Sequence, residues 1–188
     1  MASLLHLNGP PGIGKSTLSA LYADRHPGTL NLDLDLLHPL VGGWRDATDR
    51  THALVRPLGL AMASAHLAAG QDVVLPQYLG RLEAVRAFED IARSHGARFV
   101  EVVLLDERTE AISRFDRRRD DSPWGVHNRE VVARGGGSAM LAAMYDQLLE
   151  VLRSRPSAVV VRSEPGQVES TYAAVGRAAD DHGADPSS

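Results

Sequence analysis

Gly9-Pro10-Pro11-Gly12-Ile13-Gly14-Lys15-Ser16-Thr17 fits the pattern G-x-x-x-x-G-K-[ST] without a gap. Its flanks are the ones the pattern needs. Leu4-Leu5-His6-Leu7 reads as a short buried strand, and Thr17-Leu18-Ser19-Ala20-Leu21-Tyr22-Ala23 as the helix that follows. Strand, glycine loop and helix together make a phosphate-binding loop. The N–H groups of a helix's first turn have no partner inside the helix and are free to bind an anion. Gly12 and Gly14 let the backbone approach phosphate oxygens closely, and Pro10 and Pro11 stiffen the entry without needing to donate. Gly9 to Thr17 are therefore the expected nucleotide-binding residues. Within them Lys15 reaches the β and γ phosphates and the Ser16 hydroxyl takes a place on Mg²⁺. Lys15 is the only lysine among the 188 residues, in a chain whose other strong bases are all arginines. A compact ammonium is the point charge a phosphate site uses.

Outward from the loop, the chain alternates strands and helices. A helix ends near Arg25-His26-Pro27-Gly28, and Thr29 to Leu37 alternates leucines with Asn31, Asp33 and Asp35 at a strand period. A glycine-rich loop, Val41 to Arg50, precedes a helix from Thr51 to Ala69 containing Pro57. Asp72 to Pro76 is a third strand with Gln77-Tyr78-Leu79-Gly80 as its exit loop. A helix from Arg81 to His95 and a fourth strand from Arg98 to Leu105 follow. Asp106 is placed to cap the next helix, which runs out into Arg117-Arg118-Arg119. Asp120 to Gly137 is polar and ends in three glycines, and is expected to be a mobile segment. Ser138 caps a helix to about Arg153, Ala158 to Val161 is a fifth strand, and Gln167 to Asp180 a last helix. The expected architecture is α/β: a five-stranded parallel sheet with helices on both faces and a small mobile lid at about 116–137. A single domain over 1–181 and a disordered tail over 182–188 complete it.

Composition sets bounds. A chain of this length buries roughly 70% of its unfolded surface, enough for a core. Hydrophobic residues at 44%, charged residues at 23% and a net charge of −4 describe an ordinary globular protein, and the overall field does not favour nucleic acid. With no cysteine there are no disulfides or thiolate metal sites. No run is apolar enough to span a bilayer and no secretory signal is expected, so the anticipated setting is cytoplasmic, with no membrane partner. The sequence does not specify an oligomeric state.

Ligands of a parallel sheet bind beyond the carboxyl ends of its strands. Asp33 and Asp35 fall there, on one face of the expected strand. Phosphoryl transfer to a hydroxyl needs a group that orients or deprotonates the acceptor and a metal that neutralises the phosphates. Asp35, nearer the strand tip, is the candidate base, and Asp33 the candidate Mg²⁺ ligand beside Ser16. Arg114 and Arg118, four apart on one helix, could clamp the moving phosphoryl group, with Arg117 and Arg119 as alternatives. Trp44, Arg45, Arg56, Gln77, Arg81, Trp124 and His127 lie in or near expected loops and are candidate substrate contacts. The hydrophobic run ending at Asp106 resembles a metal-binding element, but a helix cap explains that aspartate better.

With these residues the chain resembles small-molecule kinases of the P-loop class. The phosphate loop, the D-x-D segment, the R-x-x-x-R helix and the last strand, loop and helix come in the order found in gluconate and shikimate kinases. Leu32-Asp33-Leu34-Asp35-Leu36-Leu37-His38-Pro39 is similar to a gluconate kinase segment, which adds His38 to the substrate candidates. Leu34 stands where those enzymes carry glycine, which argues against gluconate as the acceptor. In chloramphenicol phosphotransferase the aspartate matched by Asp35 is the base. Val73-Val74-Leu75-Pro76 and Ser122-Pro123-Trp124 are similar to the tunicamycin-resistance ATP-binding proteins. The resemblance implies ATP with Mg²⁺, adenine between the lid arginines and the loop that includes Pro165 and Gly166, and phosphate transfer to a hydroxylated small molecule such as an antibiotic or natural product. A metabolic kinase of a sugar acid or nucleoside would share the chemistry. A regulatory NTPase without an acceptor is the rival of another class. A GTP switch is excluded as a reading, because N-K-x-D needs a second lysine.

Overall fold

The computed structural model describes residues 1–46 and 48–181 of the chain. The expected tail at 182–188 lies outside the described residues. Five strands form one parallel sheet in the order β2-β3-β1-β4-β5: β1 Ser3–Asn8, β2 Leu30–Asn31, β3 Val73–Leu75, β4 Arg98–Leu105 and β5 Val159–Arg162. Among the described residues seven α-helices accompany it: α1 Lys15–Arg25, α2 Thr48–Ala68, α3 Leu82–Ser94, α4 Arg108–Arg117, α5 Pro123–Arg134, α6 Ser138–Arg153 and α7 Val168–Asp181. None of the described helices is long and apolar enough to cross a membrane.

The central strand β1 is buried at every position, as a parallel strand covered on both faces must be. Successive side chains point to opposite faces, so its residues divide by parity. Leu4 joins Val73, Leu75, Val85 and Phe88 under α2 and α3. Leu5 and Leu7 join Val74, Val102 and Leu104 under α1 and α7. Two cores cover the two faces of the sheet, and the phosphate loop leaves β1 at its carboxyl end, where the cleft lies.

The segment 29–37 is not the long strand that its alternation suggests. Pairing with β3 runs only through Leu30 and Asn31, with one further bond from the Leu32 N–H to the Val74 carbonyl at 2.8 Å. β3 ends at Leu75, so nothing remains for a longer strand to pair with. The Asp33 carboxylate instead accepts from the Asp35 N–H at 3.1 Å and starts a 3-10 turn over Leu34–Leu36. A side chain bonding two residues ahead offers the backbone this alternative to a ladder. Leu34 turns into the core and Leu36 is left 65% exposed.

Two further expectations are corrected, and one segment shows a helix that the sequence reading did not give. The segment 120–137 contains helix α5, which starts at Pro123 with the Ser122 hydroxyl accepting from the Gly125 N–H at 3.0 Å. Ser-Pro at cap and first turn is a helix start, and the charged composition and glycines at the far end obscure it. Asp106 does not cap α4. The cap position is Glu107, without a side-chain bond, and the Asp106 carboxylate is buried and turned toward Arg114. Ser138 is the first residue of α6 and Gly137 holds its cap position.

Candidate active site

One cleft of about 1320 Å³ opens at the carboxyl edge of the sheet and brings together most of the residues the sequence points to. Pro11 to Thr17 form its floor. Asp35, His38, Arg56, Gln77, Arg81, Trp124, Arg114, Arg118, Arg119 and Gly166 line it above that floor.

The loop's shape follows from its sequence. Ile13 is fully buried and pins the loop to the sheet. Gly12 sits at φ +83°, and a Cβ there would meet the Phe115 backbone at 2.9 Å. Gly14, at φ +107°, occupies the cap position of α1. No side chain caps α1, so its first-turn N–H groups remain available to an anion. The Lys15 ammonium donates to the carbonyls of Gly9 at 2.8 Å and Pro10 at 3.0 Å. Burial lowers its pKa to about 8, against the pull of Asp35 and Asp33. A cation so desolvated gains most when an anion of opposite charge arrives.

Two residues hold the loop in place: Asn8, which the sequence reading passed over, and Ser163, which opens the loop expected at the same edge of the sheet. Asn8 is fully buried at the tip of β1. Its side-chain carbonyl accepts from the N–H groups of Gly9 and Leu79 at 2.9 and 3.1 Å, and its amide donates to the Leu79 carbonyl at 3.2 Å. The phosphate loop and the loop after β3 are thus tied through one amide. A polar residue directly before Gly9, at the end of an apolar strand, was the available signal. Ser163, at the end of β5, donates from its hydroxyl to the Ile13 carbonyl at 3.0 Å.

Arg114 is a brace for this loop. It donates to the carbonyls of Ile13, at 2.8 Å, and of Ser163, and lies 3.4 Å from the Asp106 carboxylate. Its side chain is 15% exposed and that of Asp106 4%. These contacts direct its terminal donors at protein acceptors, while the residue also lines the cleft where a phosphate clamp was expected. Arg117 pairs with Glu110 on the outer surface, away from the cleft. Arg118 remains in the cleft, half exposed and 2.7 Å from Asp120 on the approach to α5, and its charge is felt at Lys15.

Asp33 and Asp35 do converge on the loop, although no strand carries them there. The Asp33 carboxylate accepts from the Asp35 N–H at 3.1 Å and stands beside the Ser16 hydroxyl. Burial and the neighbouring Asp35 carboxylate push its pKa up. Asp35 faces the cleft and accepts from the Gln77 amide at 3.4 Å. The Gln77 main-chain carbonyl is in turn bonded to buried His6 at 3.0 Å. Two carboxylates close enough to perturb one another, beside a serine hydroxyl, form a hard oxygen set suited to Mg²⁺. Mg²⁺ typically takes one or two carboxylates and completes its shell with water and substrate phosphates.

Helix α5 meets the turn at His38 through stacked rings. Trp124 lies flat on His38 at 3.9 Å between centroids, with His52 edge-on to both. Trp44 packs behind, edge-on to His127, and Arg45 covers the Trp44 ring at 4.4 Å. Trp44, Arg45 and His127 therefore stand outside the cleft: Trp44 and His127 are buried supports for Trp124, and Arg45 and His127 border a separate surface depression. Pro165 also lies outside the lining, whereas Ser163, Glu164 and Gly166 belong to it.

Comparison with known proteins agrees with this fold. The matching family is described as an AAA domain and aligns with residues 4–136. No curated protein matches the sequence. Among solved structures, the tunicamycin resistance protein of Deinococcus radiodurans superposes with TM-score 0.58 at 17% identity, covering 98% of each chain. A gluconokinase from Sinorhizobium meliloti 1021 gives TM-score 0.54 at 19% identity, over 96% of this chain and 94% of that one. Deoxyadenosine kinase from M. mycoides gives 0.59 at 15% identity, over 95% and 98%. At these identities the likeness is one of fold, a P-loop kinase-like α/β domain.

Proposed function

The chain belongs to the AAA domain family, and on that premise we propose that it is an ATP-dependent phosphotransferase that moves the γ-phosphate to a hydroxyl of a small molecule. One observation carries the reading. The Asp35 carboxylate and the Lys15 ammonium share a single cleft that continues, past Asp35, into a chamber walled by α2, α3, α5 and α6. A nucleotide hydrolase needs room for water beside the phosphates; this cleft has room for a second molecule. The kinases and the resistance protein of similar fold support a small acceptor, and an antibiotic or other natural product is the acceptor we favour over a sugar acid.

The nucleotide's phosphates rest on the N–H groups of Gly12 to Thr17 and on Lys15. Ser16 and Asp33 would hold Mg²⁺, which when bound neutralises charge on the β and γ phosphates. Asp35 receives the hydroxyl proton of the acceptor as its oxygen bonds to the γ-phosphorus. The bond from that phosphorus to the bridging oxygen breaks, and ADP leaves. Gln77 fixes the rotamer of Asp35 from one side. Arg118, able to swing from Asp120 to the phosphates, stabilises the charge spread over the transferred group. A base of this kind contributes roughly 10²–10⁴ in rate.

The test is a screen of hydroxylated compounds with ATP, read by mass spectrometry for a gain of one phosphate. In the Asp35→Asn protein the gain should disappear while ATP affinity stays within about threefold, because the cradle is intact. ATP turnover that no alcohol stimulates, and that Asp35→Asn leaves unchanged, would refute the reading in favour of a regulatory NTPase.

A further inference from the structure

The acceptor side of the cleft carries charge that the transfer chemistry does not use. The chain has a net charge of −4, yet Lys15 and five arginines line the cleft against two carboxylates, Asp35 and Glu164. Glu164 is paired with Arg162 at 2.9 Å. Arg114 is committed to the loop and Arg118 to Asp120. Lys15, Arg118 and Arg119 belong to the nucleotide and lid side. Arg56 on α2 and Arg81 at the cap position of α3 line the same cleft as Asp35. Neither guanidinium group makes a hydrogen bond or ion pair with any described residue. Lone arginines on an open surface need no explanation. Two that line one cleft, whose only described acid besides the paired Glu164 is the catalytic candidate, form a charge surplus that asks for an anion.

The rest of the chamber limits what that anion is attached to. Leu34, Val55 and Leu60 line it from α2 and the turn before it, and Val132, Met140 and Met144 from α5 and α6. Three polar atoms are buried there with no partner: Gln77 Oε1, His38 Nδ1 and Trp124 Nε1. The native rule is that buried polar atoms are bonded, so each unpaired one points to a missing ligand or water. His38 is 2% exposed. Its burial, with His52 and His127 nearby, depresses its pKa to about 4, so it meets a ligand as a neutral imidazole. A polyol would leave most of its hydroxyls against leucine, valine and methionine. A wholly apolar alcohol would leave two guanidinium groups without a counter-charge once the lid covers them.

We propose that the acceptor is an amphipathic hydroxylated anion: an apolar body between α2 and α6, a hydroxyl at Asp35 and Gln77, and a carboxylate or phosphate group held by Arg56 and Arg81. The inference rests on the phosphotransfer reading of the same cleft. The guanidinium fork pairs with either anion through two parallel bonds, so the shared chemistry is an oxyanion, and the apolar wall supplies the remaining affinity.

Binding is tested apart from transfer by calorimetry with the protein saturated with ADP. The probes are benzyl alcohol, hydroxymethylbenzoate and hydroxymethylphenyl phosphate, with gluconate as an anion that lacks an apolar body. The two ring-bearing anions should bind on the order of tenfold more tightly than benzyl alcohol and than gluconate. Arg56→Gln and Arg81→Gln should each remove much of that preference while leaving the urea midpoint unchanged, as expected of exposed side chains. The tighter of the two anions assigns the acceptor's charged group. Benzyl alcohol binding as tightly as its anionic partners, no binding by any probe, or a preference that survives in the double variant would overturn the proposal. Replacing ADP by ATP reads the chemistry separately. Selective binding without a gain of phosphate sinks the transfer and leaves the ligand class; phosphate gained by benzyl alcohol and the anions at equal rates does the reverse.

Discussion

Replacing Arg114 by alanine separates two roles that a single arginine near a phosphate loop can have. The side chain now donates to the carbonyls of Ile13 and Ser163 and faces the Asp106 carboxylate, all within the protein. Its loss leaves a carboxylate that is 4% exposed without its counter-charge and takes donors from two buried carbonyls. Charge-assisted hydrogen bonds contribute about 1.5–3 kcal/mol each, and breaking a buried ion pair costs roughly 3–5 kcal/mol. Two features reduce the loss. The Ser163 hydroxyl still donates to Ile13, and Asp106 still accepts from the Glu107 N–H. The net expectation is a destabilisation of about 3 kcal/mol, a fall in Tm of roughly 6–12 °C for a domain of this size. Nucleotide affinity should fall with it, because the Ile13 peptide is part of the cradle. Arg114→Lys should recover little, since an ammonium cannot reproduce the fork. Urea denaturation and ATP titration by calorimetry measure both effects. A protein that loses less than about 1 kcal/mol, binds ATP normally and fails only in kcat would refute the brace and restore Arg114 as a group acting on the transferred phosphate.

Arg118→Ala should behave in the opposite way, lowering kcat by on the order of 10²-fold or more with a smaller change in ATP affinity; the reverse split would make it a binding residue. Gly12→Ala places a Cβ 2.9 Å from the Phe115 backbone at φ +83°, and should cost at least about 2 kcal/mol in urea unfolding, so a variant of wild-type stability would mean that the loop does not need this conformation. His38 is neutral when folded, with a pKa near 4, and titrates near 6.5 when unfolded. Between those values the unfolded chain binds more protons, so stability is fully present above the unfolded pKa and falls as pH drops. The expected loss is about 2 kcal/mol from roughly pH 6.5 to pH 5, with His6, also depressed by burial, adding in the same direction. His38→Phe should flatten part of this slope in urea midpoints measured across that range, and an unchanged slope would assign it elsewhere.

The sequence by itself determined the phosphate loop, its strand and helix neighbours, and the alternation that makes a parallel sheet with two covered faces. These depend on short-range rules: glycines at fixed offsets, an apolar run of strand length, a helix period. It also brought Lys15, Ser16, Asp33 and Asp35 forward as one group, because a strand-tip position implies the open edge of the sheet. The tertiary structure decided what depends on partners distant in the chain. Whether 29–37 is a long strand turned on the length of β3, which lies some forty residues away, and the same leucine and aspartate pattern serves a capped turn equally well. Whether Arg114 faces a phosphate or a carbonyl turned on Ile13 and Ser163, separated from it by 101 and 49 residues. Trp44 and Trp124 looked alike as loop tryptophans, and only the packing of α5 against the turn at His38 made one a wall of the cleft and the other its support. A side chain's chemistry is written in its own residue type, but the group that satisfies it is chosen by the fold.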